Sequence, residues 1–156
     1  MMTKLRSANL YLAEKRPAII AAMHVNSAGI YYEQENPLVD ESSDWATLAA
    51  SLRASLDRFS FREENLRDRK STDWPAYRAS RYRSVRQFKD LYQLIDVHGW
   101  SNSELFYYAS CQPRGESDMT LRVTLDRYSK DDEIDRLLRR LFKGSLRWAA
   151  NVDLDE

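Results

Sequence analysis

Apolar positions in this chain fall into short blocks whose spacing switches between strand and helix periods. Residues 18–25, AIIAAMHV, form a continuous apolar run bounded by Pro17 and a polar segment, which predicts a buried strand. Asn26, Ser27, Ala28 and Gly29 supply turn chemistry, and Ile30, Tyr31 and Tyr32 give a second short strand, so a β-hairpin is expected. From Trp45 the period changes. Trp45, Leu48, Ala49, Leu52, Leu56 and Phe59 recur at three- and four-residue steps, the apolar stripe of an amphipathic helix capped by Ser43 or Asp44.

The second half repeats the switch. Residues 77–82 read as a short strand. Ser84 and Gln87 then have capping-box spacing, opening a helix that runs on through Phe88 and Leu91. Strands are expected at residues 94–98, 105–111 and 119–127. In the last, Met119, Leu121, Val123 and Leu125 alternate with Thr120, Arg122, Thr124 and Asp126, the pattern of a sheet with one wet face. A closing helix, capped by Ser129, carries Ile134, Leu137, Leu138, Leu141 and Phe142 on one stripe, extended by Trp148. Acids crowd its start (Asp131, Asp132, Glu133, Asp135) and bases its end (Arg139, Arg140, Lys143, Arg147), which suits the helix dipole. The expected class is α+β: a mainly antiparallel sheet packed against two or three amphipathic helices.

Length and composition fit that picture. The 156 residues make one domain of ordinary size, with a possible internal boundary in the charged segment 62–73, where Leu66 is the sole apolar residue. Residues 1–16 mix Lys4, Arg6, Glu14 and Lys15 with short apolar pieces, and no signal peptide is read there. No stretch approaches the roughly 18 apolar residues of a membrane span. With a single cysteine, Cys111, the chain has no internal disulfide, and a cytoplasmic location is expected.

Charge changes the picture more. The 24 basic and 24 acidic residues cancel, so any electrostatic partner must be met by a local patch. Two stand out. Arg78, Arg81, Arg83, Arg86 and Lys89 lie within an acid-free segment, residues 74–89, interleaved with Tyr77, Tyr82 and Phe88. Such residues could bind RNA or DNA by phosphate neutralisation and base stacking, or the arginines could line an exposed strand face above buried aromatics. Residues 33–41 hold Glu33, Glu35, Asp40 and Glu41 with no base among them. With Tyr32 beside it, this acidic loop would suit a basic protein partner, or it is a plain solvated loop.

Catalytic chemistry is hard to assemble from these residues. His24 and His98 are far apart and no paired metal-ligand spacing occurs, so no metal site is expected. Cys111 sits in an apolar, aromatic strand and reads as a packed thiol rather than a nucleophile. The four scattered glycines build neither a dinucleotide fingerprint nor a phosphate loop, and no cofactor is expected.

One segment carries a family resemblance. Residues 73–80, DWPAYRAS, followed by Ser84, Val85, Arg86, Gln87 and Phe88, resemble the middle of the immunity proteins of bacterial contact-dependent growth inhibition systems. The hairpin, the helix from Trp45 and the last helix fall in the matching order across residues 17–148. Where that pattern has a small residue such as glycine after Ser80 and an acid after Phe88, this chain has Arg81 and Lys89. The resemblance implies a non-enzymatic protein that binds and neutralises the toxic C-terminal domain of a sibling-cell effector, often a nuclease. Nuclease toxins being commonly basic, the expected contact residues are Tyr32, Glu33, Glu35, Asp40 and Glu41. The alternative is a small RNA- or DNA-binding module using residues 77–89.

Overall fold

Alternation along β1 (Arg6–Leu12) places Ala8, Leu10 and Leu12 on one face, all fully buried, and Ser7, Asn9 and Tyr11 on the other. This strand was not anticipated from the sequence. Its polar Ser7 and Asn9 interrupt the apolar run that would have marked it. It is nevertheless central, pairing antiparallel with β2 (Ala18–Val25) on one side and β6 (Gln93–Gly99) on the other. The structure, a computed structural model, describes residues 4–41, 47–111 and 119–149.

The eight described strands form one sheet. Its main path runs β3 (Tyr31–Glu33), β2, β1, β6, β7 (Glu104–Cys111), β8 (Met119–Asp126). β4 (Leu38–Asp40) and β5 (Ser60–Phe61) also pair with β2, and the β2–β5 contact is the one parallel pairing. The hairpin predicted at residues 18–32 is present. Its turn is closed by Asn26, whose Oδ1 accepts from the amides of Ala28 and Ile30, while Gly29 takes φ 75°, a conformation that suits a residue without Cβ. Met119 to Asp126 forms a strand as the alternation predicts, antiparallel to β7.

Helices cover both faces. On one, α1 (Leu48–Asp57) and α4 (Asp131–Ala149) lay Leu48, Leu52 and Leu56, with Ile134, Leu138, Leu141 and Phe142, against Leu10, Ile20, Ile95, Val97, Tyr107 and Ala109. The stripes read in the sequence are therefore core. Phe59 lies beyond α1 and stacks on Tyr31, with centroids 6.2 Å apart. Ser43, Asp44 and Trp45 fall outside the described residues, as does the side chain of Trp148. α4 begins at Asp131, so Lys130 and not Ser129 precedes it, and the Glu133 carboxylate accepts from the Lys130 amide at 3.2 Å. Ser129 instead offers its carbonyl to Arg53. That guanidinium joins α1 to the turn before α4, also donating to the Arg127 carbonyl and to Asp131.

On the opposite face lie α2 (Pro75–Ser80) and α3 (Val85–Leu91). The strand expected at residues 77–82 is a correction: most of that segment is helical. Pro75 occupies the first turn, where its missing N–H costs nothing, and the helix ends at Arg81 in the left-handed region, φ 60°. The Ser84 cap holds, its Oγ accepting from the Gln87 amide at 3.1 Å. Phe88 is fully buried in a second aromatic core with Tyr11, Tyr77 and Tyr92, and Trp74 packs edge-on against it at 4.8 Å.

Candidate partner-binding surface

β3 and β4 lead the acidic segment along the sheet edge beside α2, and the strand pleat sorts its residues. Glu33 is 6 % exposed and Tyr32 is 7 % exposed. The Glu33 carboxylate accepts from the Tyr11 hydroxyl, from Asn9 Nδ2 at 3.2 Å and from the Ala76 amide in the first turn of α2 at 3.1 Å. Burial, and secondarily the Glu33 charge, push the Tyr11 phenol well above its ordinary value, so the hydroxyl stays a donor. Trp74 Nε1 in turn donates to the Tyr11 oxygen at 3.2 Å. Glu33 thus ties β3, β1 and α2 together.

Tyr32 is similarly engaged. Its hydroxyl donates to the Arg62 carbonyl at 2.8 Å, and the Arg69 guanidinium lies 5.2 Å from its ring. Asp40 is 9 % exposed and accepts from Thr47 Oγ1 at 2.8 Å, linking β4 to the start of α1. Of the five expected contact residues, Glu35 and Glu41 are therefore the two with exposed side chains.

Glu35 brings the two charged patches together. It pairs with Arg78 of α2 at 2.5 Å, on the rim of a depression of about 270 Å³ also lined by Glu64, Asp68, Arg69 and Asp73. Four carboxylates against two guanidiniums leave this depression net acidic. Glu64 pairs with Arg69 at 2.8 Å, which holds its carboxyl below the usual range. The charged segment 62–73 thus supplies part of a concave acidic surface.

The basic segment is differently arranged. Arg78, Arg81, Arg83, Arg86 and Lys89 are all exposed, while Tyr77 and Phe88 are buried and Tyr82 is half-buried. Arg86 sits 3.9 Å from Asp90, and Lys89 lies over the Trp74 ring at 5.8 Å. The periodicity is helical, so Tyr77 and Phe88 face inward, while Trp74 and Tyr82 stay half-buried.

A second surface was missed by sequence reasoning. On β6–β8 the wet face carries Asp96, His98, Phe106, Tyr108 and Arg122 in adjacent register. His98 stacks on Tyr108 at 4.9 Å and meets Trp100 edge-on at 5.4 Å, and its Nδ1 lies 3.1 Å from Asp96. Lys4 closes the group, 3.8 Å from Asp96. The signal was the alternation of Phe106 and Tyr108 with Leu105, Tyr107 and Ala109, which puts two aromatics on the side away from the main core.

No group of metal-ligating side chains occurs among the described residues. His24 contacts Ser60 Oγ at 2.9 Å on β5, separate from His98 on β6. Cys111 ends β7, and its side chain falls outside the described residues. Among the described residues no helix is long and apolar enough to cross a membrane.

These features define an α+β protein: one sheet with helices on both faces and an acidic rim at one edge. Solved structures share its fold, among them the following two. A protein of unknown function, NMB0488 from Neisseria meningitidis, superposes with a TM-score of 0.67 at 18 % identity, over 89 % of this chain and 94 % of that one. A chain of the CdiA-CT/CdiI toxin and immunity complex from Yersinia pseudotuberculosis superposes with a TM-score of 0.60 at 11 % identity, over 88 % and 95 %. No family model matches the sequence, and no curated protein matches it.

Proposed function

We propose that this chain is an immunity protein that binds the toxic C-terminal domain of a contact-dependent growth inhibition effector and blocks it. The observation that carries the reading is the fold held in common, over nearly nine-tenths of the chain, with a member of a toxin and immunity complex. The segment order and the DWPAYRAS region, which resemble immunity proteins, support the inhibitor side of such a pair. A binding role also agrees with where its polar groups go. Glu33, Asp40 and Tyr32 are spent on holding elements together, and His98 is enclosed by rings and Asp96.

The surface that suits such a partner is the acidic rim, Glu35 on the β3–β4 segment with Glu64, Asp68 and Asp73 across the depression, while the exposed Glu41 lies apart from it. A basic toxin domain, as nucleases commonly are, would be steered there by complementary charge. Binding in the cytoplasm would protect the producing cell from its neighbours.

Co-purification with the toxin domain encoded beside this gene, followed by calorimetry, tests the reading. A one-to-one complex of nanomolar or tighter affinity and loss of toxin activity are expected. Absence of binding to that domain, with the toxin still active in a mixture, would refute it. The nucleic-acid reading is less favoured, because Tyr77 and Phe88 of residues 77–89 are buried and Tyr82 is half-buried.

A further inference from the structure

A pocket of about 170 Å³ opens where the start of β2, β4 and the end of α2 meet, apart from the acidic depression. Its wall holds two guanidiniums, Arg16 and Arg81, and one carboxylate, Glu41. Both arginines are exposed, and among the described residues neither guanidinium makes an ion pair or a side-chain hydrogen bond. The Arg16 guanidinium rests 5.3 Å from the Tyr82 ring, and Arg81 is held in the left-handed region at φ 60°.

The carbonyls nearby are already occupied. The Tyr77 carbonyl accepts from Ser80 Oγ at 2.5 Å, the Arg78 carbonyl from the Arg81 amide at 3.3 Å, and the Pro17 carbonyl from the Tyr92 hydroxyl at 3.0 Å. The Tyr82 hydroxyl is buried beneath this wall with no hydrogen-bond partner among the described residues.

Two guanidiniums against one carboxylate make the wall net positive and favour one ligand chemistry. We propose that this pocket binds an oxyanion group, phosphate or carboxylate, through Arg16 and Arg81. Guanidinium forks match both anions, and charge-assisted hydrogen bonds are the strong ones. The site does not depend on the toxin-binding reading and lies on a different part of the surface.

The test is a titration of the whole isotope-labelled protein with inorganic phosphate, and separately with acetate, at constant ionic strength, followed by NMR. Saturable shifts are expected at the Arg16 and Arg81 guanidinium signals and at the Arg81 amide. Saturation by phosphate alone assigns a phosphorylated ligand, and saturation by acetate as well assigns a carboxylate-tolerant site. In R16Q/R81Q the apparent Kd should rise about tenfold or more, the loss of one charge-assisted hydrogen bond or more. R81G, which removes the charge while relaxing the backbone, should bind more weakly yet stay fully folded. Shifts that never saturate with either anion, or saturation unchanged in both variants, would overturn the proposal.

Discussion

Glu35 and Arg78, 43 residues apart, form an ion pair that joins the acidic segment to the basic one. Two patches that look independent along the chain are neighbours in space and partly neutralise each other. Both side chains are about half exposed, at 58 % and 49 %. Solvent screens such a pair, so Glu35→Ala should lower stability by less than about 0.5 kcal/mol. Its effect on binding should be larger. If the acidic rim meets a basic toxin, Glu35→Lys should slow association and weaken the complex about tenfold, most at low salt. Stopped-flow association rates at two ionic strengths check this, and identical rates for both proteins would remove the rim from the interface.

Glu33 should behave in the opposite way. Its carboxylate serves Tyr11, Asn9 and the Ala76 amide in a buried setting. Glu33→Ala strands three donors, and a loss of about 3 kcal/mol or more is expected in urea denaturation. Glu33→Gln should cost less, since its amide oxygen still accepts. A Glu33→Ala midpoint equal to that of the parent protein would contradict the assigned network.

Arg81 adopts a backbone conformation that L residues avoid. Arg81→Gly should therefore raise stability by about 0.5 to 1 kcal/mol, the relief of strain less the added freedom of glycine in the unfolded chain. A higher melting temperature by calorimetry is the expected result, whereas a lower one would mean that the Arg81 side chain itself holds the α2–α3 turn.

Alkaline pH should destabilise the protein through Tyr107. Burial raises its phenol to about 12, against an ordinary value of 10.0. Between those values the unfolded chain releases a proton that the folded chain keeps. Stability is therefore fully present below about pH 10 and falls as pH rises toward 12. The Tyr107 hydroxyl is buried without a hydrogen-bond partner among the described residues, so Tyr107→Phe should be neutral or stabilising by about 1 kcal/mol at pH 7. It should also flatten the alkaline limb. Denaturant midpoints from neutral to strongly alkaline pH measure both effects.

Features that a single element can specify alone are legible in the residues of that element. The apolar stripe of α4, the alternation of β8, the Asn26 turn and the Ser84 cap are local patterns with local causes, and all are present. β1 escaped notice because Ser7 and Asn9 interrupt its apolar run and are accommodated by the sheet's second face, which no local pattern announces. Residues 77–82 read as a short strand in the sequence, with Tyr77 and Tyr82 at its two ends. Packing of Tyr77 and Phe88 into the second core made the segment a helix. Tertiary structure alone decided which charges face a partner. Glu33 and Glu35 are two residues apart and chemically alike. One lies against Tyr11 and the first turn of α2, and the other reaches the rim beside Arg78. Burial depends on what the rest of the chain lays over a residue, and that is settled by contacts distant in sequence.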